Sequence, residues 1–227
     1  MDQRELREEM VDRQIAGRGV RDRRVLGVLR ELPREQFIEP ALARQAYEDG
    51  PLSIGSGQTI SQPFIVALMA EALGLVGSER VLEIGTGSGY GAAVLARLAR
   101  EVYTVERHSE LADAAAARLA AMGFVNIHVI TGDGTLGLPE SAPFEAIAVT
   151  AAGPRVPPGL LAQLSLGGRL IMPVGEDPEN QRLVRVDRRG EQEFRSADLG
   201  GVAFVPLVGE QGWSSEALFA QHGRRGR

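Results

Sequence analysis

The chain has 227 residues, of which 44% are hydrophobic and 24% charged, the balance of a globular protein, and its net charge of −5 argues against a general nucleic-acid binder. Cysteine and lysine are absent, which excludes disulfides, thiol nucleophiles, Schiff-base catalysis and the phosphate-binding lysine of a P-loop. The three histidines, His108, His128 and His222, are widely spaced, so no metal site is expected.

The first 46 residues are predicted to form helices. Apolar residues recur there at helical spacing, first at Leu6, Met10, Val11 and Ile15 and then at Val25, Leu26, Val28 and Leu29. The N-terminus is charged from its second residue and lacks the apolar core of a signal peptide. No stretch reaches the ~18 apolar residues of a membrane span, so a cytoplasmic protein without membrane association is expected.

A polar, glycine-rich loop, YEDGPLSIGSGQTISQPF, covers residues 47–64. It lies between apolar segments with helical patterns, so it is either a connector or a site. The helix after it, SQPFIVALMAEALGL, is predicted to begin with Ser61 as N-cap and Pro63 in its first turn. Gly74 and Gly77 are expected to end that helix.

From residue 78 to residue 175, short apolar runs alternate with helical segments. The predicted strands are RVLEI, EVYTVE, NIHVIT, FEAIAVT and RLIMPVG, and most are separated by helices of ~10–15 residues. This alternation indicates a Rossmann-like α/β fold, with a mostly parallel central sheet covered by helices on both faces.

The last part of the chain, residues 176–227, has a different pattern. RLVRVDRRGEQEFR predicts an antiparallel hairpin with a charged turn, and VAFVPLVG predicts a further strand. Trp213 is expected to be a packing anchor, and HGRRGR to be a frayed tail. We expect a single domain over 1–227, made of a helical extension (1–46), a substrate loop (47–64), a cofactor-binding core (78–175) and C-terminal strands with a tail (176–227).

The first strand of the core is followed directly by a glycine-rich turn, EIGTGSGY. Glycines let the backbone turn tightly and let a ligand approach it, and a helix N-terminus with unpaired N–H groups follows. The spacing departs from the dinucleotide fingerprint G-x-G-x-x-G, because Tyr90 occupies the place of the third glycine. Glu83 would repel a pyrophosphate, but it suits the sulfonium and ammonium groups of S-adenosylmethionine.

Two further acids follow the next two predicted strands. Glu106 lies about 20 residues beyond the glycine turn, where an acid can bridge ribose hydroxyls. Asp133 ends the third strand, where it could accept a hydrogen bond from an adenine amino group. Each feature alone is common, since Asp-Gly is a frequent turn, but three acids at successive strand ends indicate a nucleoside-type cofactor.

These motifs resemble those of the protein-L-isoaspartate (D-aspartate) O-methyltransferase family. The similarity is carried by GQTISQPFIVALM, VLEIGTGSGYGAAVLA, VERHSELADAAAARL, GDG, PFEAIAVTAA and LGGRLIMPVG. The glycine turn alone would indicate only a methyltransferase, whereas the Thr-Ile-Ser-Gln-Pro segment is specific to the family. Departures are small: Gly91, Ser53 and Glu145 stand where the family commonly has glutamine, proline and aspartate.

The resemblance implies a class I methyltransferase that uses S-adenosyl-L-methionine and releases S-adenosyl-L-homocysteine. Its substrates would be L-isoaspartyl residues, and D-aspartyl residues in some members, in damaged proteins and peptides. We expect a monomer that acts without nucleic acid or membrane. The implied cofactor-binding residues are Gln58, Thr59, Ile60, Glu83, Gly85, Thr86, Gly87, Ser88, Gly89, Glu106, Arg107, Gly132, Asp133 and Gly134.

Ser61 is the expected catalytic residue, because a hydroxyl can orient a carboxylate without protonating it. The substrate carboxyl has a pKa near ~4 and is ionised at neutral pH, so the reaction needs positioning and exclusion of water rather than a strong base. Thr59, Ile60 and Val205 are expected to contact the substrate beside Ser61. A helix N-cap is the alternative role of Ser61, and the two are compatible because a helix N-terminus favours an anion.

Three other functions stay open. A peptide-tailoring or small-molecule carboxyl O-methyltransferase could use the same cofactor domain. An RNA or DNA methyltransferase is disfavoured by the acidic net charge and by the absence of an Asn/Asp-Pro-Pro-Tyr/Phe motif. A non-enzymatic nucleotide-binding domain is disfavoured by the intact segment 59–61.

Overall fold

A computed structural model describes residues 2–176 and 180–214, and the predicted frayed tail lies outside them. The α-helices of this part are α1 (Gln3–Glu9), α2 (Arg23–Glu31), α3 (Pro63–Leu73), α4 (Tyr90–Leu98), α5 (Ser109–Ala121) and α6 (Pro158–Gln163). The strands are β1 (Leu52–Gly55), β2 (Gln58–Ile60), β3 (Arg80–Ile84), β4 (Glu101–Glu106), β5 (Ile127–Thr131), β6 (Phe144–Val149), β7 (Leu164–Val174), β8 (Gln181–Arg188) and β9 (Phe194–Val202). Among the described residues, no helix is long and apolar enough to cross a membrane.

The central sheet of the described residues has the strand order β5-β4-β3-β6-β7-β8-β9, and β1 and β2 form a separate antiparallel hairpin. Neighbours from β5 to β7 are parallel, whereas β8 and β9 pair antiparallel. The predicted mostly parallel sheet with an antiparallel C-terminal hairpin is therefore confirmed. Since β3 lies between β4 and β6, the strand order reverses there and leaves a crevice at the carboxyl ends of these strands.

The final strand lies earlier in the chain than the pattern predicted. β9 ends at Val202, so the prediction of a strand over VAFVPLVG is wrong from Ala203 onward. The polar sequence of β9 concealed it, because an edge strand is held by backbone pairing and its side chains here are mostly exposed. Beyond β9, the Gln181 side-chain amide accepts from the Phe204 N–H (2.7 Å) and donates to the Phe204 C=O (3.0 Å). These two backbone groups therefore do not pair with a neighbouring strand.

Helical segments follow one another between Gln3 and Gln45, as the apolar spacing predicted. A π-helical turn (Met10–Ile15) continues α1, and its apolar side chains share one core with α3 and α4. Arg34 is fully buried, and its Nε donates to the Ala46 C=O (2.7 Å) while its guanidinium lies over the Tyr90 ring (5.2 Å). The N-terminal extension therefore packs against the first residue of α4.

The start of α3 differs from the prediction. Its N-cap is Gln62, so the prediction of Ser61 as N-cap is wrong, and no side chain caps the helix. Pro63 at the first helical position has a φ already near the helical value and needs no hydrogen-bond partner for its nitrogen. Ser61 consequently lies between β2 and the helix, with its hydroxyl not committed to a cap.

Gly74 ends α3 in the left-handed conformation (φ +57°), and Arg169 of β7 donates to the C=O groups of Leu73 and Gly74 (2.5 and 2.8 Å). A Cβ atom at position 74 would lie 2.6 Å from the Arg169 Nη1. We expect Gly74→Ala to lower the free energy of unfolding by about 1–2 kcal/mol, because the alanine is strained and Arg169 must move.

The matched control is Gly27→Ala in α2, where no atom lies within 4 Å of an added Cβ atom. It should raise the free energy of unfolding by about 0.5–1 kcal/mol, because alanine favours the helix. Urea denaturation measures both values. Changes of the same sign in the two variants would contradict the role of Gly74 as the C-terminal cap.

Candidate active site

The turn after β3 is confined on two sides. Gly85 has a φ of +95°, and a Cβ atom there would lie 2.3 Å from the Thr150 Oγ1 at the end of β6. The Thr150 hydroxyl is shared between the C=O groups of Ile84 and Gly85 (3.0 and 2.8 Å). On the other side, a Cβ atom at Gly87 would lie 3.1 Å from Ile54 of the β1–β2 hairpin. Glycine is therefore required at position 85 by both conformation and space.

Glu83 of β3 is a buried acid with 1% of its surface exposed. Its Oε2 accepts a hydrogen bond from the Thr104 hydroxyl (2.6 Å), which lies 2.6 Å from the Thr86 hydroxyl. Burial raises the pKa of Glu83 to about 8; the hydrogen bond from Thr104 opposes this shift, and the nearby Glu106 charge adds to it. No ion pair joins Glu83 to an Arg or His of the described residues, so this carboxyl is available to a cationic ligand.

Glu106, the last residue of β4, connects the glycine turn to the start of α5. Its Oε2 accepts from the Gly87 N–H and its Oε1 from the His108 N–H, both at 3.0 Å. The side chain is 5% exposed. Each carboxylate oxygen still has a second lone pair, so these bonds fix the orientation of the carboxylate and leave it able to accept from a hydroxyl.

Three cavities meet at this edge of the sheet. The inner cleft is lined by Ile60, Met69, Glu83, Gly85, Thr86, Ser88, Tyr90 and Gly91, among others. The outer cleft is lined by residues including Gln58, Glu106, Arg107, Gly134, Pro206, Leu207 and Val208. The groove, an open space of about 1670 Å³, is lined by residues including Arg18, Phe64, Leu68, Arg182, Phe204 and Val205. Thr59 and Thr150 line all three, and Ser61 lines the inner cleft and the groove.

The structure brings most of the predicted site residues to these cavities. Those that line the inner or outer cleft are Gln58, Thr59, Ile60, Glu83, Gly85, Thr86, Gly87, Ser88, Glu106, Arg107 and Gly134. Ser61 lies where the inner cleft opens into the groove, and Val205 lines both the groove and the outer cleft.

Gly89, Gly132 and Asp133 are not among the residues that line the three cavities. Gly89 packs against α5, where a Cβ atom would lie 3.2 Å from Leu119. Gly132 donates its N–H to the Glu106 C=O (2.9 Å). Their contact with the cofactor stays a prediction, and their observed contacts are within the protein.

Sequence reasoning missed Thr150 and the apolar wall at residues 206–208. Thr150 is the last residue of the predicted strand FEAIAVT, and the rule that ligands bind beyond the carboxyl ends of parallel strands could have found it. The wall had no comparable signal, because it lies some 75 residues beyond the strand end at Asp133 in an irregular segment.

The residues of the two clefts fit S-adenosylmethionine. The carboxyl of Glu83, which has no ion-pair partner among the described residues, matches the sulfonium and ammonium groups of the cofactor, and the oriented carboxylate of Glu106 matches ribose hydroxyls. Pro206, Leu207 and Val208 supply an apolar wall suited to a purine ring.

Comparison with known proteins agrees with this fit. The family model of protein-L-isoaspartate(D-aspartate) O-methyltransferase matches residues 4–212. The chain is 57% identical over 207 residues to protein-L-isoaspartate O-methyltransferase 2 of Pelobacter propionicus, a match that covers 91% of this chain and 92% of the relative.

Solved structures have the same fold. A protein-L-isoaspartate O-methyltransferase superposes with a TM-score of 0.82 and 29% identity, covering 96% of this chain and 69% of its own. A Plasmodium falciparum structure described as a beta-aspartate methyltransferase, in complex with S-adenosyl-L-homocysteine, superposes with a TM-score of 0.76 and 24% identity. That match covers 89% of this chain and 98% of the other.

The buried Glu83 leads to a pH-dependent prediction. With a pKa of about 8, the ligand-free protein holds a proton on Glu83 at pH 7, whereas a bound cation favours the carboxylate. Binding of the cofactor should therefore release about one proton, and the affinity should rise with pH until about pH 8. Calorimetry in buffers of different ionisation enthalpy measures the released proton.

Glu83→Gln should abolish both the proton release and this pH dependence. In the ligand-free protein the unfolded chain loses the proton at a lower pH than the folded one, so stability should fall as pH rises towards about 8. A cofactor affinity of the wild-type protein that does not change as the pH rises to about 8 would contradict the role of Glu83.

Proposed function

The chain belongs to the protein-L-isoaspartate (D-aspartate) O-methyltransferase family, and we propose that Ser61 and Thr59 orient the substrate carboxylate in its active site. The enzyme transfers a methyl group from S-adenosylmethionine to the side carboxylate of L-isoaspartyl residues in damaged proteins and peptides. The observation that supports the site is the junction of the clefts and the groove at Thr59 and Ser61.

The two hydroxyls at this junction have no partner among the described residues. Thr59 is the exposed middle residue of β2, and Ser61 is half-buried just after that strand. A carboxylate that enters from the groove can accept hydrogen bonds from both hydroxyls. Such charge-assisted bonds are shorter and stronger than neutral ones, so they would hold the nucleophilic oxygen towards the inner cleft without protonating it.

The chemistry requires orientation and a dry environment. Bound S-adenosylmethionine supplies an electrophilic methyl group on a sulfonium. A substrate carboxylate oxygen held by Thr59 and Ser61 would form the new bond to that carbon as the carbon–sulfur bond breaks, so no proton would have to move at the reacting atoms. Ile60 and Met69 are buried in the wall of the inner cleft and exclude water from this step.

The groove is proposed as the binding site of the peptide chain. It runs beside Ser61 and is bounded by Phe64 and Leu68 of α3 and by Phe204 and Val205 after β9. It is the largest of the three spaces, which suits a segment of a larger protein better than a small molecule. Residue Val205 also borders the outer cleft, so the peptide and the cofactor would share this side chain.

Several finer features belong to the proposal and rest on the sequence alone. The enzyme is expected to work as a monomer, in the cytoplasm, on polypeptides rather than on nucleic acids. The net charge of −5 supports the last of these expectations.

The reaction is tested with a synthetic isoaspartyl peptide and its normal aspartyl twin. The two peptides have the same composition and charge, so a difference in methyl transfer reports the position of the carboxylate relative to the backbone. We expect radiolabelled methyl transfer from S-adenosylmethionine to the isoaspartyl peptide alone. Equal labelling of both peptides, or labelling of a small carboxylic acid instead, would favour a different carboxyl methyltransferase.

Ser61→Ala tests the orienting hydroxyl. Loss of a hydrogen bond to a charged group should lower methyl transfer to the isoaspartyl peptide by about 10- to 100-fold. Binding of S-adenosylhomocysteine should stay within about twofold of the wild-type value, since the Glu83 and Glu106 side chains are intact. The matched control is Ser78→Ala, an exposed serine in the loop before β3; full activity of Ser61→Ala would exclude the proposed role.

A further inference from the structure

One oxygen of the Glu83 carboxyl is held by a chain of hydroxyl groups. Glu83 of β3 and Thr104 of β4 are partners in the parallel register of the two strands, so their side chains leave the same face of the sheet. The Thr104 hydroxyl donates to the Glu83 Oε2 (2.6 Å) and lies 2.6 Å from the hydroxyl of Thr86 in the glycine turn. Thr104 is fully buried, and Glu83 and Thr86 are 1% and 4% exposed. Among the described residues, Oε2 therefore depends on Thr104 as its donor.

The other oxygen of this carboxyl, Oε1, lies at the start of α4. A Cβ atom at Gly91 would lie 2.3 Å from Oε1, so the bare backbone at this position leaves room for the oxygen. Glu83 and Gly91 both line the inner cleft. Oε1 accepts no hydrogen bond from the described residues, and it is therefore the oxygen that can serve a ligand.

Few other charged groups face this carboxyl. Glu106 of β4 is oriented by two backbone N–H groups, and its charge acts to raise the pKa of Glu83. Tyr90 of α4 is neutral, because burial raises its pKa to about 12. β6 places Ala148 beside Glu83. The side chains of α3 that line the inner cleft are apolar, namely Val66, Met69, Ala70 and Leu73. The hydrogen bond from Thr104 is thus the contact that favours the ionised form of Glu83.

We propose that Thr104 is a positioning residue for the cofactor, which holds Glu83 so that Oε1 faces the ammonium group and which stabilises the carboxylate that this cation requires. The inference rests on the assignment of the inner cleft to the amino-acid end of the cofactor. Because Thr104 donates to Oε2, the proton of the neutral carboxyl is on Oε1. When the ammonium group enters, this proton leaves to the solvent and the cation takes its place. Thr86 supports the arrangement through its contact with the Thr104 hydroxyl.

The test uses Thr104→Val, which keeps the branched shape of the side chain and removes the hydroxyl, and two ligands. S-adenosylhomocysteine has the ammonium group, and its deaminated analogue has hydrogen in place of the amino group. The ammonium group selects the ionised form of Glu83, whereas the analogue leaves Glu83 protonated. Loss of a hydrogen bond to a charged group should therefore weaken binding of S-adenosylhomocysteine at pH 7 by about tenfold, and binding of the analogue by less than about twofold, measured by calorimetry.

A titration of the ligand-free protein distinguishes this role from a purely structural one. The pKa of Glu83 is about 8 in the wild-type protein. Removal of the Thr104 donor disfavours the charged form, so the titration midpoint of Glu83 should rise by about one pH unit in Thr104→Val. NMR of isotope-labelled glutamate carboxyl groups measures the midpoint, and Glu83→Gln identifies the signal. The same midpoint in the wild-type protein and in Thr104→Val would contradict the proposal.

Three further variants serve as controls. Thr104→Ser keeps a hydroxyl at this position and should return both the midpoint and the affinity for S-adenosylhomocysteine to near the wild-type values. Thr131→Val removes an exposed hydroxyl at the end of β5 and should change neither. In the background of Glu83→Gln, Thr104→Val should not alter the preference for S-adenosylhomocysteine over the analogue, because the carboxylate that Thr104 serves is absent.

The pattern across the two ligands decides the outcome. Equal weakening of both ligands by Thr104→Val would overturn the inference, since it would report a change in the shape of the cleft rather than in the charge of Glu83. Methyl transfer by the wild-type protein to the isoaspartyl peptide would leave the proposed function standing in that case. Failure of the wild-type protein to bind S-adenosylhomocysteine would instead refute the proposed function and the inference together.

Discussion

The site is built around a backbone turn for which there is almost no space. After β3 the chain must reverse into α4 while Thr150 lies on one side and the β1–β2 hairpin on the other, and a Cβ atom at Gly85 would overlap the Thr150 hydroxyl. Because the turn cannot carry side chains, its N–H groups and the start of α4 border the clefts directly. The hydrogen bonds of Thr150 and Glu106 to this turn fix the edges from which both clefts are formed.

A second constraint follows from charge. A buried carboxyl without a cation is costly, and the protein keeps Glu83 in that state with only a threonine hydroxyl as partner. An apolar residue in place of Glu83 would stabilise the fold at least as well. The role of Glu83 is therefore in binding. Glu106 beside it is held by two backbone N–H groups instead. The two acids of the clefts therefore differ in environment, and they suit different parts of one ligand.

Much of this arrangement could be predicted from the sequence, and the limits have physical causes. Strand-like apolar runs indicated the parallel sheet, and the order of strands placed Glu83 and Glu106 at one edge. The apolar pattern did not predict β9, because its exposed side chains have no periodic burial. The prediction of Ser61 as N-cap failed because proline can start a helix without a cap. It predicted Trp213 as a packing anchor but not that residues 206–208 line the outer cleft, since contacts between distant irregular segments depend on tertiary packing alone.

The separation of the two clefts from the groove also explains how a protein without lysine or cysteine can carry out this reaction. The cofactor brings positive charge and the substrate brings negative charge, so an acid near the substrate would repel it, and a base near the cofactor would have nothing to remove. The acids Glu83 and Glu106 lie in the clefts, whereas the groove has hydroxyls and the guanidinium groups of Arg18 and Arg182, which are ion-paired with Asp49 and Asp198. Thr59 stands at the boundary between the two environments. What the reaction requires of the protein is therefore position rather than proton transfer.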